Sequence, residues 1–282
     1  MEHVHASEGL LRDRILSTLF YEPSTRTRLS FESAMLRLGG QVISTENARE
    51  FSSAIKGETV EDTVRIVSGY ADTIVIRHHQ QGVADRAAKI SPVPIINGGD
   101  GPGEHPTQAL LDLYTIRREI GRIDGLKIAL VGDLRFGRTA RSLSLMFRNT
   151  TDTELIFVSP DSAPMGDDVR ALLTEAGVPF RDEPDLAKAV AEADVIYQTR
   201  IQQERFTTEA EFLQAKGVYI ITPEIMTHLK ETGILLHPLP RVDEIAPEVD
   251  SDPRAAYFRQ AHYGVHVRMA ILNELIGTHR LV

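Results

Sequence analysis

The stretch Ile15-Leu16-Ser17-Thr18-Leu19-Phe20-Tyr21-Glu22-Pro23-Ser24-Thr25-Arg26-Thr27-Arg28 decides the fold. Its first six residues read as a strand, and Ser24 stands where a helix needs its N-cap. Beyond it Phe31, Ala34, Met35 and Leu38 recur at i, i+3, i+4 and i+7, which predicts a helix over Thr25–Leu38 with one buried face. A strand that feeds straight into an amphipathic helix is the unit of α/β architecture.

Working outward, the same alternation continues. Strand-like runs stand at Gln41–Ser44, Thr73–Ile76 and Val93–Ile96, with helical stretches at Glu58–Tyr70 and Val83–Lys89 between them. Asn97-Gly98-Gly99-Asp100-Gly101-Pro102-Gly103 is the strongest loop signal. A long helix follows from Pro106 to Ile120, ended by Gly121. Further strands are predicted at Lys127–Val131, Glu154–Val158, Val195–Gln198, Tyr219–Ile221 and Ile234–Leu236, and a last helix at Val265–Ile276. The expected fold is α/β, with two similar-sized domains, each a mostly parallel sheet flanked by helices and joined by bridging helices. The domains are expected at 1–120 and 121–263, with 264–282 a C-terminal helix returning to the first.

With 282 residues, 42% hydrophobic and 25% charged, the chain has the composition of a globular protein with material for two cores. It has no apolar run of about 20 residues and no signal-peptide pattern, so neither a membrane nor export is expected. Cys is absent, which excludes disulfides and thiolate chemistry, and a cytoplasmic setting fits. A net charge of −9 argues against a nucleic-acid surface and makes the cluster Arg26, Arg28 and Arg37 a candidate for one particular anion.

An anion at the start of the first helix would meet unpaired N–H groups and the positive end of the helix dipole. The hydroxyls of Ser24, Thr25 and Thr27 can add hydrogen bonds, and Arg26 a charge-assisted one. The dipole supplies only about 0.3–1 kcal/mol at an exposed site, so side chains must provide most of the affinity.

Ser24-Thr25-Arg26-Thr27-Arg28 and the longer string through Leu38 resemble the carbamoyl-phosphate signature of the aspartate/ornithine carbamoyltransferase family. That resemblance implies phosphate binding by Ser24, Thr25, Arg26 and Thr27, with Glu22 orienting arginines on domain closure. It extends to Ser52-Ser53-Ala54-Ile55-Lys56-Gly57-Glu58, similar to a loop that enters a neighbouring subunit's site and carries Ser52 and Lys56. Arg77, at a strand end, resembles the arginine that contacts the carbamoyl carbonyl and phosphate. His105-Pro106-Thr107-Gln108 opens the bridging helix and is similar to the segment whose histidine polarises the carbonyl and whose glutamine binds the carbamoyl amino group.

Gly132-Asp133-Leu134-Arg135-Phe136-Gly137-Arg138-Thr139 has P-loop spacing, but Arg138 stands in place of the required lysine, and no Walker-B strand accompanies it. The same string resembles the segment whose arginine binds a carboxylate of the amino-acid substrate. Arg200 and Gln202 match further acceptor-binding positions, and Arg205 one engaged on closure. Two arginines suit a substrate with two carboxylates. In His237-Pro238-Leu239-Pro240, Pro238 stands where ornithine enzymes carry cysteine, and the Leu239 carbonyl is expected to meet both amino groups across a cis Leu239–Pro240 bond.

The resemblance therefore implies transfer of a carbamoyl group to L-aspartate in pyrimidine synthesis. It implies His105, Arg77, Thr27 and Lys56 as the catalytic set, no metal and no cofactor. The expected assembly is a homotrimer with active sites shared between chains, and regulatory or other pathway subunits are left open. Relatives carry further N-terminal residues that cover the C-terminal stripe Val265, Met269, Leu272 and Ile276. Here Leu10 and Leu11 are expected to provide part of that cover, or else the last helix is mobile.

Overall fold

The computed structural model describes residues 9–46, 56–101, 103–201 and 217–277. The chain divides into two compact units, Met1–Thr107 with His262–Val282, and Gln108–Ala261.

The first unit runs β1 (Ile15–Phe20), α1 (Thr25–Arg37), β2 (Gln41–Glu46), α2 (Val60–Val67), β3 (Thr73–His78), α3 (Val83–Ile90) and β4 (Ile95–Asp100). Its sheet has the order β2-β1-β3-β4, and every pairing is parallel. Both faces are covered, so side chains along one strand alternate between two cores. Leu16 and Phe20 join Phe31, Ala34, Met35 and Leu38 of the α1 region, while Leu19 and Tyr21 join Val64 and Val83 on the other face. The predicted helical stripe is therefore the buried face, and burial of a side chain such as Phe31 contributes roughly 1.5–3 kcal/mol.

Helix α4 (Pro106–Ile120) follows. The second unit then adds β5 (Lys127–Val131), α5 (Arg138–Met146), β6 (Glu154–Val158), α6 (Asp167–Glu175), β7 (Phe180–Asp182), α7 (Leu186–Glu192), β8 (Val195–Gln198), α8 (Pro223–Met226) and β9 (Ile234–Leu236). Its parallel sheet has the order β7-β6-β5-β8-β9. Here too the strands alternate: Ile128 and Leu130 face one core, Ala129 and Val131 the other. The last helix, α9 (Tyr257–Ile276), starts in this unit and ends in the first.

Several expectations change. The compact units divide at 107/108, near the start of α4, because Asp112 and Ile116 are buried among second-unit side chains. Tyr219–Ile221 is not a strand: Ile221 forms only an isolated bridge with Ile245, and Tyr219 is held by its hydroxyl, which donates to the Ser159 carbonyl at 3.2 Å. β7, an edge strand of three residues, was too short to show a period.

Asn97–Asp100, predicted as loop, is the end of β4. Its glycine is there for close approach: a Cβ on Gly98 would lie 3.1 Å from Val75 and 3.2 Å from the Ile76 carbonyl. The pairing shifts register between Ile76 and His78, an irregularity that bends β4 beside Arg77. Leu11 is fully buried in the cluster that holds Met269 and Leu272, with Leu10, Val265 and Ile276 against it, so Leu10 and Leu11 do provide cover for the C-terminal stripe.

Candidate active site

In each unit the chain reverses its order across the sheet once near the centre, between β1 and β3 and between β5 and β8. In open α/β sheets, ligands bind beyond the strand C-termini at such points. The sequence candidates fall on both.

In the first unit, Phe20 is paired with Arg77 and the Tyr21 N–H donates to the Arg77 carbonyl at 2.9 Å, so the loop into α1 lies beside the end of β3. Ser24 occupies the N-cap with φ −160°, yet its side chain makes no cap hydrogen bond, and no acidic residue stands in the first turn. That leaves the helix start suited to an external anion. Thr27 is buried, whereas Thr25 and Arg26 are exposed. Enough protein nevertheless surrounds the Arg26 guanidinium that desolvation holds its pKa below the ordinary arginine value, a penalty that a bound anion would relieve.

The expected arginine cluster separates. Arg28 turns back to Glu32 at 3.3 Å and Ser44 at 3.2 Å, joined there by Thr18. Arg37 lies in the last turn of α1, against Ser33. Arg26 alone of the three belongs to the helix start.

Arg77 is 7% exposed and donates to the Gly98 carbonyl at 3.1 Å and to Glu22 Oε1 at 3.2 Å. His105, equally buried, places Nε2 3.5 Å from the same guanidinium. A guanidinium only donates, so that ring nitrogen is the acceptor of the pair. Glu22, Arg77 and His105 are thus one contiguous group. Lys56 is exposed. Ser52 lies outside the described residues, as do Gln202 and Arg205.

In the second unit, Arg138 is the first residue of α5 and Arg200 follows β8, both half-buried. Val131 pairs with Gln198, and the Thr199 N–H and hydroxyl both reach the Val131 carbonyl at 2.8 Å. Gly132 has φ +110°, and a Cβ there would sit 2.4 Å from the Thr199 carbonyl, so only glycine lets the two arginine-bearing loops leave the sheet side by side. Asp133 Oδ1 accepts from the Phe136 N–H at 2.9 Å and so caps the turn with its own carboxylate.

Leu239 follows β9 with φ 56°, and Leu239–Pro240 is cis, as the sequence suggested. Its N–H donates to His237 Nδ1 at 2.8 Å, while His237 Nε2 meets Glu244 Oε1 at 2.6 Å. Gln108 Nε2 donates to Asp112 Oδ1 at 2.8 Å. Sequence reasoning missed Asp112, Gln260 and Glu244, three buried polar residues of this unit. The i, i+4 spacing of Gln108 and Asp112 on a helix was the signal available. Among the described residues no group of three or more His, Asp or Glu could hold a metal, and no helix is long and apolar enough to cross a membrane.

Known proteins match both units. Residues 1–118 match the aspartate/ornithine carbamoyltransferase carbamoyl-P binding domain, and residues 124–275 match the Asp/Orn binding domain of the same family. Aspartate carbamoyltransferase 2, chloroplastic, of Pisum sativum is 56% identical over 268 residues, 95% of this chain and 70% of that protein. The catalytic subunit of M. jannaschii aspartate transcarbamoylase is 50% identical with a TM-score of 0.90, over 98% of this chain and 89% of the other. Aspartate transcarbamoylase from Trypanosoma cruzi in complex with carbamoyl aspartate and phosphate is 42% identical with a TM-score of 0.91, over 98% and 90%. With the family's two domain models matched over residues 1–118 and 124–275 and relatives this similar over nearly its whole length, the chain belongs to the aspartate/ornithine carbamoyltransferase family.

Proposed function

We propose that this chain transfers the carbamoyl group of carbamoyl phosphate to the amine of L-aspartate, giving N-carbamoyl-L-aspartate and phosphate as a step of pyrimidine synthesis. The observation that carries the residue roles is the group of buried Arg77 and His105 with half-buried Glu22 beside the start of α1. Ser24, Thr25, Arg26 and Thr27 take the phosphate, with Ser52 and Lys56 from the following loop. Arg77, His105 and Thr27 face the carbamoyl oxygen, and Gln108 and the Leu239 carbonyl take the carbamoyl amino group. Arg138, Arg200 and Gln202 hold the two carboxylates of aspartate, and Glu22 and Arg205 act in closure.

The aspartate amine attacks the carbamoyl carbon, forming a C–N bond as negative charge builds on the carbonyl oxygen. Collapse breaks the C–O bond to phosphate, and the proton lost from the amine passes to a phosphate oxygen. Each well-placed oxyanion donor is worth on the order of 10²–10³ in rate, and orientation of two bound substrates supplies much of the rest.

A homotrimer with shared sites is part of the same proposal. Helix α1 exposes Leu29 and Leu36, which line a shallow groove with Ser33 and Arg37, an apolar surface suited to a second copy. Two experiments test the proposal. Turnover of carbamoyl phosphate with L-aspartate should far exceed that with ornithine; equal rates reject the acceptor assignment. Mixing inactive Lys56→Ala chains with inactive Arg26→Ala chains should restore part of the activity, and hybrids that form but stay inactive reject site sharing.

A further inference from the structure

The second unit contains a chain of buried polar side chains in which each group fixes the orientation of the next. The His237 N–H donates to Gln260 Oε1 at 2.9 Å, and a peptide N–H can only donate, so the Gln260 amide has one orientation. Its Nε2 therefore points to Asp112 and donates to Oδ1 at 2.6 Å. Gln108 Nε2, one turn before Asp112 on α4, donates to that same oxygen at 2.8 Å. The Tyr197 hydroxyl donates to Oδ2 at 2.7 Å, and burial with the neighbouring Asp112 charge pushes its pKa well above the ordinary tyrosine value, so it stays a donor. Asp112 and Tyr197 are wholly buried and Gln260 is 1% exposed. At the far end, the Leu239 N–H is committed to His237 Nδ1.

This polarity has a consequence for substrate choice. With its Nε2 turned to the acceptor-only Asp112 carboxylate, Gln108 presents Oε1, an acceptor, at its other end. With its N–H committed, Leu239 offers its carbonyl, a second acceptor. Two acceptors suit an amino group and reject a methyl, which would leave both desolvated and unpaired. We propose that Asp112 is a positioning residue for carbamoyl selectivity, fixing Gln108 as an acceptor and, through Gln260 and His237, steadying the Leu239 loop. The proposal rests on the assignment of Gln108 and Leu239 to the carbamoyl amino group.

The test compares carbamoyl phosphate with acetyl phosphate, which has a methyl in place of the amino group. The readout, on the full chain, is the acetyl phosphate inhibition constant relative to the carbamoyl phosphate KM, with inorganic phosphate inhibition and melting curves as controls. Asp112→Leu should lower that ratio at least about tenfold while phosphate inhibition stays within about twofold. Asp112→Asn should keep the ratio, because its Oδ1 can still accept both amides while its nitrogen donates to the Tyr197 oxygen. A folded Asp112→Leu variant with the parent's ratio overturns the proposal. If that variant does not fold, Gln260→Leu removes the bonds to His237 and to Asp112 while leaving Gln108 on Asp112, and should still lower the ratio and raise the aspartate KM; parental values for both overturn it equally. Gln108→Ala separates the two layers. An unchanged ratio there rejects the site assignment, whereas a lost ratio there beside a parental one in Asp112→Leu rejects the role of Asp112 alone.

Discussion

In the first unit the strand order reverses between β1 and β3, and in the second between β5 and β8. The same topological position is furnished in two ways. At the first, the polar groups are held by each other: Arg77 is 7% exposed, fixed by Glu22 and the Gly98 carbonyl, with His105 alongside. At the second, the close approach of Gly132 to the Thr199 carbonyl and the Asp133 carboxylate on the Phe136 N–H shape the loops, and the two arginines they carry are half-buried. The family models name the two ligands separately, carbamoyl phosphate for residues 1–118 and aspartate or ornithine for residues 124–275. A site for an invariant ligand can be locked by side chains that support one another. A site whose ligand differs between relatives is better built on fixed backbone with exchangeable side chains.

The comparison breaks most visibly at Arg77. Arg77→Ala removes a donor that is already fixed before substrate binds, so kcat/KM should fall on the order of 10²–10³-fold. Glu22 and the Gly98 carbonyl also lose their partner, so carbamoyl phosphate binding should weaken as well. Steady-state kinetics with each substrate varied will show it. A loss of only a few-fold would mean that the first unit's reactive centre is not at the end of β3.

Arg200→Ala should produce a smaller and more selective change. Loss of one charge-assisted contact to a carboxylate corresponds to roughly 10–100-fold in aspartate KM, with carbamoyl phosphate binding nearly unaltered. Equal damage to both substrates would erase the division between the two units. Titration of the variant with carbamoyl phosphate alone, followed by calorimetry, separates these cases.

Much of this was legible in the sequence where one local rule governed. The Phe31, Ala34, Met35 and Leu38 stripe is the buried face of α1, and β1, β5, β6, β8 and β9 have the predicted bounds, because buried parallel strands are short apolar runs. Asn97–Asp100 misled because glycine usually signals a turn, and here it serves close approach to Ile76 in the neighbouring strand. The arginines 26, 28 and 37 looked alike in sequence; only the fold places Glu32 and Ser44 beside Arg28 and sends Arg37 to the far end of the helix. Asp112 and Gln260 lie far apart in the chain, and no short motif announces a hydrogen bond between them.

The smallest effect concerns a support of the second unit. Glu244 is 6% exposed, and its Oε2 accepts from the Val242 and Asp243 N–H groups, each at 3.1 Å, while Oε1 meets His237. Burial pushes its pKa up, but His237 and the backbone donors outweigh that and hold it below the usual carboxylate range. A depressed folded pKa means that the ionised group stabilises the fold above its unfolded value of about 4.3, and that this stability is lost as pH falls through the folded value. Glu244→Gln turns an amide toward donors that need an acceptor and should cost about 1 kcal/mol near neutral pH. The gap between parent and variant should then shrink below about pH 4, where the parent's carboxylate takes up its proton. Urea unfolding at a series of pH values measures it. A gap that stays constant or widens on acidification would show that the Glu244 charge does not stabilise this loop, and that the second unit's backbone holds its shape without it.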